Sequence, residues 1–412
     1  MIPEKLFLKT LEGLRHGTLE LHWRGRRRVF GDSSGDLAAT IVVERPEFFS
    51  KVVFGGEDGA GEAYMDGDWR SPDLVSVIRL AARNLSGLQQ RNRFLSLLSR
   101  AALRVRHSRR SNTVSGSRRN IREHYDLSND FFRLFLDRRM VYSSAYYKSE
   151  SDSLEDAQTE KLDMLCRKLE LSSEDHLLEI GTGWGAFAAH AAENYGCRVT
   201  TTTISDEQFK GASERFARMR GAASKIDLLR EDYRALKGKF DKIVSIEMFE
   251  AVGLENYDHF FGACERLLTR NGVLAMQAIT MNERRFPEYH RSSDWIQRRI
   301  FPGSELASLS EVLRSLGRVT TMSMLHCEDI GIHYALTLAE WRRRFLASID
   351  DVERLGFDHR FIRMWEYYLA YCEGGFRERY IGDAQMVFGK VHSTRSIAGD
   401  PRRARAHSTA GH

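Results

Sequence analysis

A glycine-rich turn is the first feature of this sequence whose residues could bind a ligand. The segment Leu178-Glu-Ile-Gly-Thr-Gly-Trp-Gly185 places glycines at alternate positions directly after a short apolar run. Glycine lets the backbone approach a ligand closely, and the helix expected after the turn presents unpaired N–H groups to it. The spacing differs from the dinucleotide-binding pattern Gly-x-Gly-x-x-Gly, and a tight structural corner would also use glycine.

Glu250 is the second residue that could do chemistry. It lies inside the apolar run Met248-Phe-Glu-Ala-Val252. Burying a carboxylate costs free energy, so a buried carboxylate usually has a function. Acidic side chains with shifted pKa values concentrate at active sites. We therefore expect Glu250 to act on a reacting group.

These residues lie in a region where strands and helices alternate. The pattern predicts strands over 176–180, 198–204, 226–229, 242–247 and 273–279, and helices over 186–195 and 206–220. Such alternation predicts a mostly parallel sheet whose ligands bind beyond the carboxyl ends of the strands. The second strand ends in Thr200-Thr-Thr-Thr-Ile-Ser205, which offers no carboxylate to a ribose, and Gln208 is the nearest polar candidate.

The chain before this region predicts a small α+β module. Alternating and β-branched residues predict strands over 18–31, 38–43 and 51–55, followed by a glycine-rich turn at 55–61 and a helix over 72–103. Residues 104–119 contain six arginines and no acid, which is typical of a flexible linker. We predict four parts: the module 1–103, the linker 104–119, a second domain 120–394 and a disordered basic tail 395–412.

Composition limits the class of protein. The chain has 412 residues, 42% hydrophobic and 29% charged, which is typical of a globular protein. It has no apolar run long enough for a membrane span and no secretory signal, so we expect a cytoplasmic protein. Its five cysteines are scattered without a CxxC pair, which favours reduced thiols and no metal site. The net charge is +5, and residues 1–119 hold 21 basic against 13 acidic side chains.

Several strings give a resemblance to known families. The glycine turn, with Glu179 two residues before it, resembles the first motif of S-adenosylmethionine-dependent methyltransferases. Further strings over roughly 120–390 resemble the cyclopropane-fatty-acyl-phospholipid synthases, including their mycolic-acid relatives. These strings are Ile121-Arg-Glu-His-Tyr-Asp-Leu-Ser-Asn-Asp-Phe-Phe132, Met140-Val-Tyr-Ser-Ser-Ala-Tyr-Tyr147, Ile246-Glu-Met-Phe-Glu-Ala-Val-Gly253, Trp295-Ile-Gln-Arg-Arg-Ile-Phe-Pro-Gly303 and Glu328-Asp-Ile-Gly-Ile-His-Tyr334. The string from Gly55 to Trp69 extends the likeness to the N-terminal module of longer members.

The resemblance implies both a fold and an activity. The fold is α/β, a Rossmann-like class I methyltransferase domain with a smaller N-terminal α+β domain. The activity is transfer of a methyl(ene) carbon from S-adenosylmethionine to the cis double bond of an unsaturated acyl chain in membrane phospholipid. The resulting carbocation loses a proton to bound bicarbonate, and a cyclopropane ring closes. The resemblance assigns cofactor binding to Tyr142, Ser143, Gly181, Gly183, Thr203, Ile204, Gln208, Asp232 and Tyr233.

The same resemblance assigns catalytic roles. Glu250 would accept a hydrogen from bicarbonate, Tyr334 would donate its phenol to that ion, and the backbone of Ile279 would donate an N–H. Ser144 and Gln277 stand where many members have a cysteine and a histidine. Both can still form hydrogen bonds. Because both depart from the usual residues, a methyl- or methylene-branched product is the alternative to a ring. Cys372 matches a cysteine that the family flags as catalytic. The alternative is a buried structural cysteine with an inert thiol, because the expected chemistry needs no thiolate.

The expected partners follow from a lipid substrate. Arg24 to Arg28 and the linker would dock transiently on anionic headgroups at the inner face of the membrane, and the small module could pair two copies of the chain. A nucleic-acid methyltransferase using the basic segments is one rival, but no module that reads RNA or DNA is visible, so we expect no nucleic-acid partner. A non-catalytic lipid carrier is the other, suggested by Ser144 and Gln277 and opposed by the intact glycine turn, Glu250 and Tyr334.

Overall fold

A computed structural model describes residues 2–32, 35–91, 128–219 and 221–391, with the side chains of all but 86–91. The chain forms two compact units. The first holds Met1–Phe135, Met281–Gly303 and Gly331–Gly382, and the second holds Leu136–Thr280, Ser304–Ile330 and Asp383–His412. These units cut the chain elsewhere than the expected boundary between 1–103 and 120–394, which stays a prediction. The predicted linker 104–119 and tail 395–412 lie outside the described residues.

Strands and helices have the following bounds among the described residues. The strands are β1 (Thr18–Trp23), β2 (Arg26–Gly31), β3 (Ala38–Val43), β4 (Trp69–Arg70), β5 (His176–Ile180), β6 (Arg198–Thr202), β7 (Ile226–Leu229), β8 (Phe240–Ile246), β9 (Leu268–Met281), β10 (Met322–Asp329) and β11 (Ile381–Lys390). The helices are α1 (Ile2–Leu11), α2 (Glu47–Met65), α3 (Leu74–Arg91), α4 (Asn129–Arg133), α5 (Leu154–Leu169), α6 (Ala186–Asn194), α7 (Asp206–Ala217), α8 (Tyr257–Leu267), α9 (Phe286–His290), α10 (Trp295–Arg299), α11 (Leu309–Val319), α12 (Gly331–Ala347), α13 (Ile349–Arg354) and α14 (His359–Arg377).

The first unit contains a four-stranded sheet in the order β2-β1-β3-β4. Strand β1 pairs antiparallel with β2 and parallel with β3, and β3 pairs antiparallel with β4. Leu19, Leu21 and Trp23 of β1 are buried while the residues between them are not, which is the period of two that the sequence shows. Helix α14 packs against α12, α3 and α2 in this unit.

The predicted strand over 51–55 and the glycine-rich turn at 55–61 are wrong. These residues lie in α2, which joins two helical stretches across a kink at Gly56, where φ is 57°. Valine and phenylalanine favour strands by type, but packing overrides such preferences. Here Phe48, Phe49 and Tyr64 are buried from the helix, and Gly56 takes up the bend because it lacks a Cβ. The predicted helix over 72–103 is confirmed from Leu74 to Arg91, and the remainder lies outside the described residues.

The second unit is built on a seven-stranded sheet in the order β10-β11-β9-β8-β5-β6-β7. Neighbours from β9 to β7 pair in parallel, and β10 pairs antiparallel with β11. The parallel sheet and the strand-helix alternation are therefore confirmed. The strands predicted over 176–180 and 226–229 have the predicted bounds, whereas β9 begins before the predicted 273 and β6 ends before the predicted 204.

Apolar clusters cover both faces of this sheet. One joins α8 and α11 to the sheet through residues such as Phe260, Val312 and Leu274. The other joins α5, α6 and α7 through residues such as Leu165, Phe187 and Phe216. Two covered faces are what a parallel sheet requires. The carboxyl ends of the parallel strands therefore remain as the edge where polar groups can gather.

Candidate active site

The glycine turn after β5 has the backbone conformation that the sequence implied. Gly181 and Gly183 have φ of 102° and 52°, in the region that side chains disfavour. The N–H groups of Gly181 and Thr182 both donate to the carbonyl oxygen of Thr202 at 3.1 Å, which joins the turn to the end of β6. A Cβ at Gly183 would meet no atom within 4 Å. No other protein atom therefore requires a glycine at this position.

Glu179 supports this turn from the interior of the sheet. Its side chain is 2% exposed, and burial raises its pKa to about 8. Thr201 donates its hydroxyl to Glu179 Oε2 at 2.5 Å, and the hydroxyls of Thr182 and Thr201 lie 2.7 Å apart. The carboxyl group is thus held within the protein, and its contribution is to shape the turn.

The ends of β6 and β7 hold the other residues expected to bind the cofactor. Thr203 donates its hydroxyl to Gln208 Oε1 at 2.9 Å, which leaves the amide nitrogen of Gln208 as a donor. Asp232 accepts two hydrogen bonds from the guanidinium of Arg234, at 2.8 and 2.7 Å. Tyr233 packs edge-on against Phe260 at 5.5 Å between ring centroids. Ile204 lies partly buried between Thr203 and the start of α7.

Ser143 is held by two residues of α5 that sequence reasoning missed. The fully buried Lys161 donates from Nζ to Ser143 Oγ at 2.6 Å, and Gln158 Nε2 donates to the Ser143 carbonyl at 2.8 Å. Because an ammonium group only donates, the Ser143 hydroxyl hydrogen must point to another acceptor. Tyr142, directly before it, is partly buried.

Glu250 lies in a single 3-10 turn, Phe249–Ala251, just beyond the end of β8. Its Oε1 accepts the N–H of Ile279 at 2.6 Å, and its Oε2 is buried without a partner among the described residues. Burial, and then the negative charge of Glu247, raise the pKa of Glu250 to about 8. Glu250 is therefore protonated at neutral pH, and it can donate a hydrogen bond from its carboxyl group.

Gln277 of β9 lies at the centre of a buried polar network. Its Nε2 donates to Glu247 Oε1 at 2.8 Å and to Asp383 Oδ2 at 2.9 Å, and its Oε1 accepts from Gln385 Nε2 at 3.0 Å. Ser144 joins the same network through its backbone, whose N–H donates to Glu247 Oε1 at 2.8 Å. The Ser144 hydroxyl donates to the carbonyl of Ala145 at 3.0 Å.

Tyr334 and Cys372 belong to the other compact unit. Tyr334, on α12, stacks on Phe376 with ring centroids 4.6 Å apart, and it is 6% exposed. Cys372, on α14, has a thiol pKa raised by burial and by the charge of Asp294. Such a thiol stays protonated at neutral pH. The roles expected for both residues stay predictions.

The missed residues share a signal in the sequence. Lys161 lies four residues after Ala157 and four before Leu165, on the buried stripe of α5. Asp383 and Gln385 lie within the buried strand β11. In each case a polar side chain stands at a position that the pattern of apolar neighbours predicts to be buried. Glu250 is recognisable in the same way. Glu247 gives no such signal, since it is one polar residue at the end of a strand.

Comparison with known proteins identifies the family. The family model described as mycolic acid cyclopropane synthetase matches residues 113–386. The chain belongs to this family. Within it, the chain is 38% identical over 359 residues to the cyclopropane-fatty-acyl-phospholipid synthase of Escherichia coli, covering 87% of this chain and 89% of that one. It is 36% identical over 368 residues to the tuberculostearic acid methyltransferase UfaA1 of Mycobacterium tuberculosis, covering 86% and 85%.

Solved structures agree with this membership. The cyclopropane synthase MmaA2 from Mycobacterium tuberculosis matches 66% of this chain and 98% of its own with a TM-score of 0.62 and 28% identity. The mycolic acid cyclopropane synthase CmaA1, solved with SAH and CTAB, matches the same shares with a TM-score of 0.61 and 31% identity. The expected fold is thus confirmed, and the chain is an S-adenosylmethionine-dependent methyltransferase. The expectation of this cofactor is confirmed too.

None of the described helices has the length and apolar character needed to cross a membrane. In the described part of the chain no three His, Cys, Asp or Glu side chains converge as a metal ion would require.

Proposed function

We propose that this enzyme transfers a one-carbon unit from S-adenosylmethionine to the cis double bond of an unsaturated acyl chain in membrane phospholipid, and closes a cyclopropane ring. The single observation that carries the proposal is the polar cluster of buried Glu250, buried Gln277 and partly buried Glu247, which lies where β8 ends beside β9. The identity with a cyclopropane-fatty-acyl-phospholipid synthase supports the choice of substrate.

The chemistry explains why such a site would be buried. An alkene is a weak nucleophile, so the enzyme must align it with the sulfonium methyl group of S-adenosylmethionine. The carbocation that follows would be captured by water as an alcohol. Ser144 and Gln277 have no exposed surface and Glu250 has 8%, which supports a site that excludes water.

The cofactor is held in this proposal by the residues that the resemblance assigned. Gly181 and Gly183 let the backbone approach it, Ser143 donates its hydroxyl, and Gln208 donates its amide to the ribose. Tyr142, Thr203, Ile204, Asp232 and Tyr233 complete the binding site. The hydrogen bond from Lys161 to Ser143 supports this arrangement because it orients the Ser143 hydroxyl.

Glu250 acts as a hydrogen-bond donor in this proposal. A pKa of about 8 favours the neutral acid at neutral pH, and a neutral carboxyl group can donate its O–H while its oxygens still accept the hydrogen expected from bicarbonate. Its free Oε2 is the atom placed to meet a reacting group. Tyr334 remains a proposed contact to the reacting centre, and Cys372 a proposed inert thiol.

The hydrogen-bond donors at the site give little support to the expected binding of bicarbonate. The Ile279 N–H expected to hold the anion donates to Glu250, and the Gln277 amide donates to Glu247 and Asp383. Acidic groups thus occupy these donors, and the negative charge of Glu247 opposes an added anion. The residues present do not fit bicarbonate, and no step is derived through it.

A phospholipid substrate requires visits to a membrane, and we include transient docking in the proposal. The hairpin Arg24 to Arg28 is exposed, but Arg24, Arg27 and Arg28 pair with acidic residues of their own unit. These pairs weaken the electrostatic attraction that the hairpin could contribute. Docking at the inner membrane face and pairing of two copies of the chain remain proposals.

The test is incubation of the full chain with S-adenosylmethionine and vesicles that contain unsaturated phospholipid. The expected product gains one CH₂ for each modified double bond by mass spectrometry, and proton NMR shows ring methylene hydrogens. A product with the same added mass and no ring signal would replace the ring by the branched alternative. No added mass, together with cofactor binding by calorimetry, would favour the lipid carrier, and methylation of added tRNA would favour the nucleic-acid rival.

A matched pair of variants sharpens this test. Glu250→Ala should lower the rate about 10²-fold or more and leave cofactor affinity nearly unchanged, because Glu250 acts on the reacting group. Asp227→Asn is the control, since Asp227 lies on β7 at the far edge of the sheet, where it pairs with Arg198. Equal loss of rate and affinity in Glu250→Ala would assign Glu250 to the cofactor instead.

A further inference from the structure

One arginine joins the glycine turn to another part of the chain. Arg215 Nε donates to the carbonyl oxygen of Trp184 in the turn at 2.7 Å, and its Nη2 donates to the carbonyl oxygen of Arg139 at 2.8 Å. A guanidinium group is planar and carries its donors in a fixed arrangement, so it holds the two carbonyl groups at a set separation. The backbone that leads to Tyr142 and Ser143 is thereby fixed to the turn.

Residues 139–144, which we call the crossing segment, connect two strand ends. The segment begins beside the turn that follows β5, where Arg215 holds it. At its other end the N–H of Ser144 donates to Glu247 Oε1 at 2.8 Å, just after β8. Strands β5 and β8 are parallel neighbours, so the segment passes from the carboxyl end of one to that of the other. Ligands of such sheets bind at this edge, and the crossing segment is therefore placed to contact the cofactor.

Helix α7 holds Arg215 against the turn through further contacts. A Cβ at Gly211, one helical turn before Arg215, would lie 2.5 Å from Trp184 Cδ1, so the indole ring packs directly on the helix at this point. A Cβ on Gly185 would lie 2.8 Å from the ring of Phe216, the next residue of the helix. The helix backbone that carries Arg215 is therefore packed against the turn itself.

The crossing segment is also ordered by contacts of its own. The two carboxyl oxygens of buried Asp137 accept the N–H groups of Arg139 and Val141, at 3.0 and 2.7 Å. Two side chains of α5 hold Ser143. These contacts fix the shape of the segment, but they do not join it to the glycine turn. Arg215 supplies that link.

We propose that Arg215 is a positioning residue for S-adenosylmethionine, because it sets the separation between the glycine turn and the crossing segment, which together hold the cofactor. The inference rests on the cofactor site of the proposed function. Arg215 acts through the carbonyl groups of Trp184 and Arg139 and not through contact with the ligand. Since the separation is set before binding, the cofactor does not have to order the two segments, which lowers the free-energy cost of binding.

The first experiment compares Arg215→Met with a control that also loses two bonds from a cation to the backbone. Lys390 Nζ donates to the carbonyl oxygens of Glu265 and Leu268, at 2.8 and 3.1 Å. Leu268 begins β9, so these bonds lie at the amino end of that strand, opposite the cofactor edge. Calorimetry gives the Kd for S-adenosylmethionine of each full-length variant, and thermal unfolding gives its stability.

Both variants should unfold at a lower temperature than wild type, but only one should bind the cofactor less tightly. Arg215→Met should raise the Kd about tenfold or more, and Lys390→Met should leave it within about twofold. A wild-type Kd in folded Arg215→Met would overturn the proposal. An equal rise of the Kd in both variants would overturn it too, because the loss of stability alone would then explain the weaker binding.

Initial rates with vesicles of unsaturated phospholipid give a second measurement. In Arg215→Met the KM for S-adenosylmethionine should rise with the Kd, and kcat at saturating cofactor should stay within about threefold of wild type. A kcat that falls about a hundredfold at unchanged KM would assign Arg215 to the reacting groups and overturn the proposal. Calorimetry needs no lipid, so a wild type that forms no CH₂-bearing product would count against the proposed function and leave the test of Arg215 intact.

Arg215→Lys separates the positive charge from the arrangement of donors. Lysine keeps the charge but offers one nitrogen atom in place of the two that meet Trp184 and Arg139. Its Kd should therefore stay above that of wild type, at or below that of Arg215→Met. Full wild-type affinity in Arg215→Lys would show that the charge suffices and would overturn the bridging role. If Arg215→Met loses its thermal transition, Arg215→Lys decides the question by the same criterion.

Discussion

Lys161 Nζ donates to Ser143 Oγ at 2.6 Å, and both residues are buried. Burial lowers the pKa of Lys161 to about 8, against the opposing effect of the charges of Glu247 and Asp383. The lysine therefore connects Ser143, which is expected to hold the cofactor, with the acidic groups around Gln277. It orients a hydroxyl on one side and compensates a charge on the other.

Replacing this lysine should weaken cofactor binding. Lys161→Met keeps the apolar length and removes the donor that orients Ser143, and a hydrogen bond to a charged group contributes about 1.5–3 kcal/mol. We expect the Kd for S-adenosylmethionine to rise about tenfold or more by calorimetry. Lys225→Met is the control, because Lys225 is exposed and donates to the carbonyl oxygen of Gly196, away from Ser143 in the sequence. A folded variant with wild-type affinity would contradict the role of Lys161.

Gly183→Ala should separate cofactor binding from stability. Gly183 and Gly221 have φ of 52° and 70°, and a Cβ at either would meet nothing within 4 Å. Alanine at each position should lower stability by about 1–2 kcal/mol, because the left-handed conformation disfavours a side chain. Only Gly183→Ala should also weaken cofactor binding, since its methyl group would occupy the space used by the ligand. Equal affinity of the two variants would place the cofactor elsewhere.

Glu250 should make stability fall as the pH rises. Its pKa is raised from 4.5 to about 8, so between these values the folded chain keeps a proton that the unfolded chain releases. The contribution is fully present below the unfolded pKa and is lost as the pH rises through the folded pKa. Glu250→Gln lacks this titration, so its stability relative to wild type should increase from pH 4.5 to about 8.

Thermal unfolding across the pH range measures this difference. Glu328→Gln is a control of opposite sign, because Lys168 holds the pKa of Glu328 below its usual value. Its contribution is present above the unfolded pKa and lost on acidification. A difference curve for Glu250→Gln that stays flat would show that Glu250 is ionised in the folded protein.

Cys372→Ser should retain activity. The pKa of the Cys372 thiol is raised by burial and by Asp294, so no thiolate nucleophile is available at neutral pH. The proposed chemistry also needs no sulfur atom. We expect kcat within about threefold of wild type, with a small loss of thermal stability from the replaced buried thiol. A loss of about a hundredfold at unchanged thermal stability would restore the catalytic assignment.

The alternation of strands and helices could be predicted from the sequence because burial makes apolar residues recur at the spacing of each element. Leu177, Leu178 and Ile180 are all buried, on both sides of the single polar residue Glu179, as a strand covered on both faces requires. The prediction of a strand over 51–55 was wrong for a related reason. Its valines and phenylalanine favour a strand by residue type. The segment is nevertheless helical, because the helix buries Phe48 and Tyr64 in the first unit.

The site was readable where one residue carries the signal alone. Glu250 is conspicuous because a carboxyl group interrupts an apolar run, and the glycine turn because three glycines alternate after a strand. Lys161 and Asp383 were missed because each becomes meaningful only through its partner. Ser143 lies 18 positions from Lys161, and Gln277 lies 106 positions from Asp383.

The local order of residues predicted the alternation of strands and helices, the glycine turn and the importance of Glu250, because these are properties of a few neighbouring residues. The methyltransferase domain, the cofactor and the family followed from the resemblance of several sequence strings to known proteins. The raised pKa of Glu250 and the occupied donors of Ile279 and Gln277 followed only from folding. Proton affinity depends on which charges lie within a few ångströms and how little water surrounds them, and that distance exists only once remote segments have packed together.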